Sequence, residues 1–317
     1  MKTFKSVFAH RLVEYTRMRQ GLGYKLDSQM TVLRMFDRYV HRRRYRGPLT
    51  QALAMAFATN SSSVSRTECW RRYQFVRHFA EYRAAFDPRA PLLDPKALPR
   101  VNERSPVHGY SDAELTVLLR EARSISPKYP IRGLTLFTMI GLAASTGLRV
   151  GEVVRLNKSD VDLDHGVITV LCTKFKKDRL VPMHPTVVAV LRRYVAARDA
   201  TYNGSDGQAF FINLRKKRFV RHTVEHAFCL LARRVGLRGS KGKGSSFHGL
   251  RHRFAVSRLQ AWYQEGVDVQ GMLPALATYM GHARYTDTAW YLTTTSELMA
   301  LAAARYHKSL AAGSVEP

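Results

Sequence analysis

The chain has 317 residues, 45% of them hydrophobic, and a formal charge of +27. A composition of this kind can bury real cores, which excludes an intrinsically disordered protein. The charge excess requires a polyanionic partner, and nucleic acid fits better than an anionic membrane, because no lone basic amphipathic helix or lipidation signal is present. The cysteines Cys69, Cys172 and Cys229 form no CxxC pair. A disulfide framework or zinc site is therefore not expected, and a reducing cytoplasm is. The start of the chain lacks the pattern of a signal peptide, and the longest apolar stretch, near residues 134–148, is too short to span a bilayer.

In chain order, Phe4, Val7, Phe8, Leu12 and Tyr15 keep helical spacing, as do Val32, Leu33, Phe36, Tyr39 and Val40. Pro48 is expected at the first turn of a third helix through Ala58, and Trp70, Tyr73, Val76, Phe79 and Ala80 stripe a fourth. Basic residues exceed acidic ones by 13 over residues 1–107. Arg42, Arg43, Arg44, Arg71 and Arg72 are the candidate contacts to a phosphate backbone; the alternative is an ordinary solvated face. Pro88, Pro91, Pro95, Pro99 and Pro106 then break the pattern, so residues 88–109 are expected to be an extended linker between a helical domain, 1–87, and a second domain, 110–317.

The second domain opens with Ser111-Asp112-Ala113-Glu114, a capping box, and continues into an apolar helix near residues 131–146 that Gly147 ends. A short helix follows from about Arg149 to Leu156. Residues 167–171 and 179–182 are expected to form a strand pair, and helices are expected near 186–198, 222–235, 248–265 and 296–310. The fold class is therefore mainly α with a small β-sheet.

Cleaving a phosphodiester needs a nucleophile, charge stabilisation on the pentavalent phosphate, and a proton for the leaving oxygen. Asp160, Asp162 and Asp164 alternate in a loop and are expected to be solvated carboxylates; no metal site and no cofactor is expected. Arg149 and Arg251 are candidates to clamp phosphate oxygens through their planar donor forks. Lys174, Lys176 and Lys177 share the turn of the strand pair, and spacing alone does not choose a general acid among them. His248 and Arg251 lie about one helical turn apart. Lys241 and Lys243 sit in a Gly/Ser/Lys-rich loop that either packs on DNA or is solvated; it is no Walker A loop. His282 follows Gly281, and three tyrosines, Tyr279, Tyr285 and Tyr291, compete as nucleophile.

Taken in order, Thr146-Gly147-Leu148-Arg149-Val150-Gly151-Glu152, Lys174, His248-Gly249-Leu250-Arg251-His252, Met280-Gly281-His282 and Tyr291 resemble the tyrosine recombinase (phage integrase) family over residues 108–300. The resemblance implies a helical core-binding domain followed by a mixed α/β catalytic domain. It implies a site-specific DNA recombinase of integrase or transposase type, which cleaves and rejoins DNA through a 3′-phosphotyrosyl intermediate and a Holliday junction, without metal or ATP. Tyr291 would attack; Arg149, Arg251 and His282 would hold the phosphate; Lys174 would protonate the leaving 5′ oxygen; His248 would assist proton transfer; Glu152 would orient the site. Implied partners are double-stranded DNA and a homo-tetramer on two duplexes, with related recombinases as further partners and no membrane, in a bacterial cytoplasm at the nucleoid. Phe175 stands where a glycine is common in the family, and Asp287 where a threonine is usual. The apolar stripe past Tyr291 (Leu298, Leu301, Leu310) is expected either to pack on its own domain or to dock on a neighbouring subunit. The same chemistry would also serve a type IB topoisomerase, and a non-enzymatic DNA-binding role is the third alternative.

Overall fold

The computed structural model describes residues 4–24, 26–99, 108–171, 178–202, 207–237, 245–282, 284–293 and 296–313. They fall into two compact units, Met1–Ser105 and Pro106–Pro317. Among the described residues no helix is long and apolar enough to cross a membrane.

The first unit is a helical bundle: α1 (Ala9–Gly21), α2 (Asp27–Arg42), α3 (Gln51–Ala58) and α4 (Arg66–Ala84). Leu12, Val32, Leu33, Phe36, Tyr73, Val76 and Phe79 meet in its core, as the helical spacing required. Asp37 is buried and pins the segment before α1, accepting from the backbone nitrogens of Lys5 (2.9 Å) and Ser6 (2.8 Å). The third helix does not start at Pro48. Thr50 caps it, its hydroxyl accepting from Leu53 N at 3.2 Å, and the Pro48 carbonyl instead accepts from the Tyr45 hydroxyl.

The proline-rich segment, expected as an extended linker, packs on the first unit over the part described. Leu93 is buried in the first core, the Tyr73 hydroxyl donates to the Asp94 carbonyl at 2.7 Å, and Gln74 Nε2 reaches the Pro95 carbonyl at 3.3 Å. Proline prevents helix here but not packing, because α4 supplies the donors that the extended backbone lacks.

The second unit runs α5 (Asp112–Ser124), α6 (Pro130–Thr146), α7 (Val150–Arg155), a 3-10 turn (Lys158–Asp160), then β1 (Val161–Asp162), β2 (Val167–Val170) and β3 (Arg179–Pro182). It continues with α8 (Pro185–Tyr202), α9 (Arg221–Arg234), α10 (Phe247–Gln264), α11 (Val269–Met280), α12 (Thr286–Ala289), a second 3-10 turn (Trp290–Thr293) and α13 (Ser296–Gly313). The strands form one antiparallel sheet, β1-β2-β3, with Ile168 opposite Val181. Among the described residues the sheet has one more strand than the sequence suggested. The aspartate-rich loop forms it, with Val161 opposite Ile168.

The capping box of α5 is present: Ser111 Oγ accepts from Glu114 N at 3.2 Å, and Glu114 Oε2 accepts from Ser111 N at 2.8 Å. The apolar α6 forms the centre of the second core, where Met139, Ile140 and Ala143 are fully enclosed. Helix α11 escapes the periodicity reading because Pro274 lies inside it. A separate cluster joins α10 and α11 to Tyr291 and to Leu298 of α13. At its start, then, α13 packs on its own unit, and Arg305 donates to the carbonyls of Val267 and Gly266. Met299 and Tyr306 remain exposed.

Candidate active site

The site forms where α6, α7, β3, α10 and α11 meet. Helix α6 ends at Gly147, whose φ of +65° belongs to the left-handed region; a Cβ there would lie 2.6 Å from the Phe254 ring. This stop lets the chain restart at once as α7, with Arg149 as its N-cap.

Arg149 and Glu152 then close on each other. Glu152 accepts from the Arg149 backbone nitrogen (2.9 Å) and from its Nη1 (2.9 Å). The other side of the Glu152 carboxylate takes both ends of Arg179, Nη2 at 2.9 Å and Nη1 at 3.2 Å. Burial would raise the Glu152 pKa, but the hydrogen bonds and charge of Arg179, joined by Arg149, outweigh it and hold it at about 2. The glutamate is therefore ionised at neutral pH despite being buried.

Three arginines converge on the last carbonyls around the C-terminus of α11. Arg179 Nε donates to the Tyr279 carbonyl (2.8 Å), Arg251 Nη2 to Met280 (2.7 Å) and Arg149 Nη2 to Gly281 (3.0 Å). These carbonyls would otherwise be orphaned, and the negative end of the helix dipole favours cations there. Gly281, at φ +66°, has no room for a side chain: a Cβ would lie 2.7 Å from Arg179 Nη1.

Arg251 is 1% exposed and also donates from Nη1 to the Gly147 carbonyl at 2.7 Å. Burial and the nearby Arg149 charge lower its pKa to about 10, so it stays cationic at neutral pH. Its charge acts on Tyr291. Tyr291 is 4% exposed, and burial raises its pKa against the opposing pull of Arg251 and Arg149.

The Tyr291 ring lies 5.1 Å from that of His252 and is stacked at 6.1 Å on that of His282. Burial, then the charges of Arg251 and Arg149, lower the His282 pKa to about 4, and its Nδ1 is 2.6 Å from Thr288 Oγ1. His248, the second residue of α10, is exposed. Desolvation, then the charges of Arg251 and Arg149, lower its pKa as well.

Arg149, Glu152, Arg251, His282 and Tyr291 are thus brought together, with His248 within the field of the arginines. Lys174, Lys176, Lys177, Lys241 and Lys243 lie outside the described residues. Tyr285 is 45% exposed and donates to Gln270, while the Tyr279 hydroxyl contacts the Pro182 carbonyl. Sequence reasoning missed Arg179, Thr288 and His252. A signal for Arg179 existed: on a two-residue strand period it shares the inward face with Val181, while Leu180 points out at 66% exposure.

The three aspartates are committed elsewhere. Asp160 caps the turn by accepting from Asn157 N, Asp162 pairs with His165, and Asp164 pairs with Arg192. Among the described residues no group of three or more His, Cys, Asp or Glu side chains could hold a metal ion.

In the first unit Arg42, Arg43 and Arg44 are exposed. Arg71 and Arg72 share Glu68, at 2.7 and 3.1 Å, so these two form ordinary ion pairs. Arg38, Arg42, Arg43 and Arg72 line one concavity with Tyr39 and Asn60.

A helical unit and a helix-rich unit with a three-stranded sheet, the latter holding arginines, a histidine and a buried tyrosine in one cluster, define a DNA breaking-and-rejoining enzyme of the tyrosine type. The sequence matches the phage integrase family over residues 114–297, more than half of its length; the chain belongs to that family and is a tyrosine-type site-specific DNA recombinase. It is 42% identical over 305 residues to y4rE of Sinorhizobium fredii, provisionally named an integrase/recombinase, covering 96% of this chain and 97% of that one. Tyrosine recombinase XerD of Ralstonia nicotianae is 30% identical over 255 residues, covering 79% and 76%. Among solved structures, the XerA recombinase is similar in fold (TM-score 0.51, 24% identity, covering 94% and 96%). So is the Tn1549 transposon integrase in complex with transposon right end DNA (TM-score 0.66, 15% identity, covering 96% and 99%).

Proposed function

We propose that Tyr291 is the nucleophile. Its hydroxyl oxygen attacks the scissile phosphorus, the bond from phosphorus to the 5′ oxygen breaks, and a 3′-phosphotyrosyl link forms. The observation that carries this reading is the burial of Tyr291 with its ring stacked on His282, in the field of Arg251 and Arg149. A neutral phenol is a weak nucleophile, so its proton must leave; His248, kept neutral by its lowered pKa, is the acceptor.

Arg149, Arg251 and His282 stabilise the phosphorane oxygens. The arginines do so as fixed cations, and the neutral imidazole as a hydrogen-bond donor. Lys174 delivers a proton to the leaving 5′ oxygen. The phosphotyrosine conserves the energy of the broken linkage, so rejoining needs no nucleotide. Glu152 holds Arg149 in place.

We further infer that the enzyme binds double-stranded DNA and works as a homo-tetramer on two duplexes through a Holliday junction, in the bacterial cytoplasm. Support comes from the net charge and from solved relatives of similar fold, which include a lambda integrase tetramer bound to a Holliday junction. The exposed arginines of the first unit and the basic stretches around residues 176–177 and 241–243 supply backbone contacts. Transposition or integration is the biological setting favoured by the resemblance to a transposon integrase.

The test is covalent trapping. DNA bound to protein is recovered from cells expressing the enzyme, its ends are sequenced, and nicked duplexes carrying that site are offered to purified protein. A phosphotyrosyl adduct that Tyr291→Phe abolishes supports the reading; an adduct that survives the substitution overturns it.

A further inference from the structure

We propose that Arg179 is a positioning residue for cleavage: by occupying one side of Glu152 and the Tyr279 carbonyl, it leaves Arg149 aimed at the scissile phosphate. This rests on the roles proposed above for Arg149 and Tyr291.

The argument begins with Glu152. Its Oε1 accepts from Arg149 Nη1 (2.9 Å) and from Arg179 Nη1 (3.2 Å); its Oε2 accepts from the Arg149 backbone nitrogen (2.9 Å) and from Arg179 Nη2 (2.9 Å). One carboxylate thus serves two guanidinium groups. A carboxylate alone with Arg149 would form a two-pronged pair, in which both donor edges face the glutamate rather than the substrate. Arg179 takes the geometry that such a pair needs, so the Arg149 side chain gives Glu152 only Nη1 and keeps a part-exposed guanidinium that a phosphate can reach.

Arg179 cannot be a phosphate ligand itself. Its side chain is 8% exposed, Nε is taken by the Tyr279 carbonyl, and both terminal nitrogens are taken by Glu152. It also fixes the end of α11, whose next two carbonyls hold Arg251 and Arg149. The Arg179 guanidinium fills the space that a side chain at Gly281 would need, next to the carbonyl that Arg149 uses.

The charge balance points the same way. The cationic groups acting on this buried carboxylate are Arg149 from the start of α7, Arg179 from β3 and Arg251 from α10. Removing Arg179 takes away the strongest stabiliser of ionised Glu152 and leaves the Tyr279 carbonyl unpaired, a loss that costs more than the bond itself contributes.

The experiment uses the full chain and the nicked duplex whose site the trapping procedure identifies. Arg179→Gln and Arg179→Lys are compared with the parent in single-turnover cleavage from pH 5 to 8, in duplex binding and in thermal melting. The expected result is a fall in cleavage on the order of 10²-fold for Arg179→Gln, the scale of a small misplacement at a reacting centre. Duplex affinity should stay within about twofold, since Arg179 makes no direct phosphate contact. The variant's rate should also rise with pH across a range where the parent's is flatter, because Glu152 becomes protonatable there. Adding Glu152→Gln to Arg179→Gln should remove that extra pH dependence.

Should Arg179→Gln fail to fold, Arg179→Lys decides, because it keeps the charge and loses the two-pronged geometry. Cleavage at the parent's rate with the parent's pH profile overturns the proposal. So does a rate loss that tracks melting or binding alone. A parent that forms no Tyr291-dependent adduct overturns the nucleophile assignment instead, and this proposal with it.

Discussion

The imidazole of His282 is held by Thr288: Nδ1 and Oγ1 are 2.6 Å apart, and Thr288 is fully buried one turn before Tyr291. With a pKa of about 4, the ring is neutral at working pH and carries one proton. For that proton to sit on Nε2 and reach a phosphate oxygen, Nδ1 must accept, and the Thr288 hydroxyl is the donor. Thr288→Val keeps the shape and removes the donor. Single-turnover cleavage should fall about tenfold, the equivalent of roughly one lost hydrogen bond, while Thr288→Ser should stay near the parent. Equal rates for valine and serine would show that the hydroxyl does not set the tautomer.

Tyr291 and Tyr285 separate cleanly as candidates. Tyr291 is buried among His252, Trp290 and His282, whereas Tyr285 is 45% exposed and donates to Gln270. Tyr291→Phe should abolish the covalent adduct on nicked DNA and leave duplex binding unchanged. Tyr285→Phe should leave both intact. Denaturing gels of the trapped complexes read the two outcomes directly.

Acid should destabilise the second unit in two stages. His252 and His282 have folded pKa values of about 4, below the usual 6.5. Below pH 6.5 the unfolded chain takes up protons that the folded one refuses, so stability falls as pH drops from 6.5 towards 4. Glu152, at about 2 against the usual 4.5, contributes stability that is fully present above pH 4.5 and lost as pH falls towards 2. His252 is the cleaner probe, because its buried Nδ1 has no hydrogen-bond partner among the described residues. His252→Phe should reduce the loss of stability between pH 7.5 and 5 by about 1–2 kcal/mol, seen as a smaller drop in Tm. An unchanged drop would mean that this imidazole does not titrate on unfolding.

The sequence carried the ends of elements well where a specific residue enforces them. Ser111 and Glu114 announce α5, and Gly147 marks the stop of α6 because its φ is left-handed and a Cβ there would lie 2.6 Å from the Phe254 ring. The groups proposed to react were legible because chain order and spacing persist whatever the fold. Their supports were not. Arg179 reaches Glu152 across 27 positions and the Tyr279 carbonyl across 100, and no local pattern records a partner at that distance. Helix α11 was hidden by Pro274, whose local cost is outweighed by burial of Leu273, Leu276 and Met280. Leu93, set among prolines, packs because α4 offers Tyr73 and Gln74 to its neighbours, and composition alone cannot show that.

The first unit yields a quantitative contrast among its arginines. Arg42 and Arg43 are exposed at the end of α2, while Arg71 and Arg72 are tied to Glu68, whose pKa is lowered first by the hydrogen bond from Arg71. An arginine already paired gains less from a phosphate, because the glutamate's charge must be left behind. Each arginine with no carboxylate partner among the described residues that neutralises a phosphate releases counterions, and removing it should flatten the dependence of log K on log salt by ~0.9. Arg42→Gln with Arg43→Gln should therefore lower the slope by about 2 and weaken binding to any duplex alike. Arg71→Gln should change it by less than about half of one such contact. Fluorescence anisotropy with a labelled duplex of arbitrary sequence, titrated from low to moderate salt, measures both slopes. An equal effect from Arg71→Gln would show that the Glu68 pair opens on DNA.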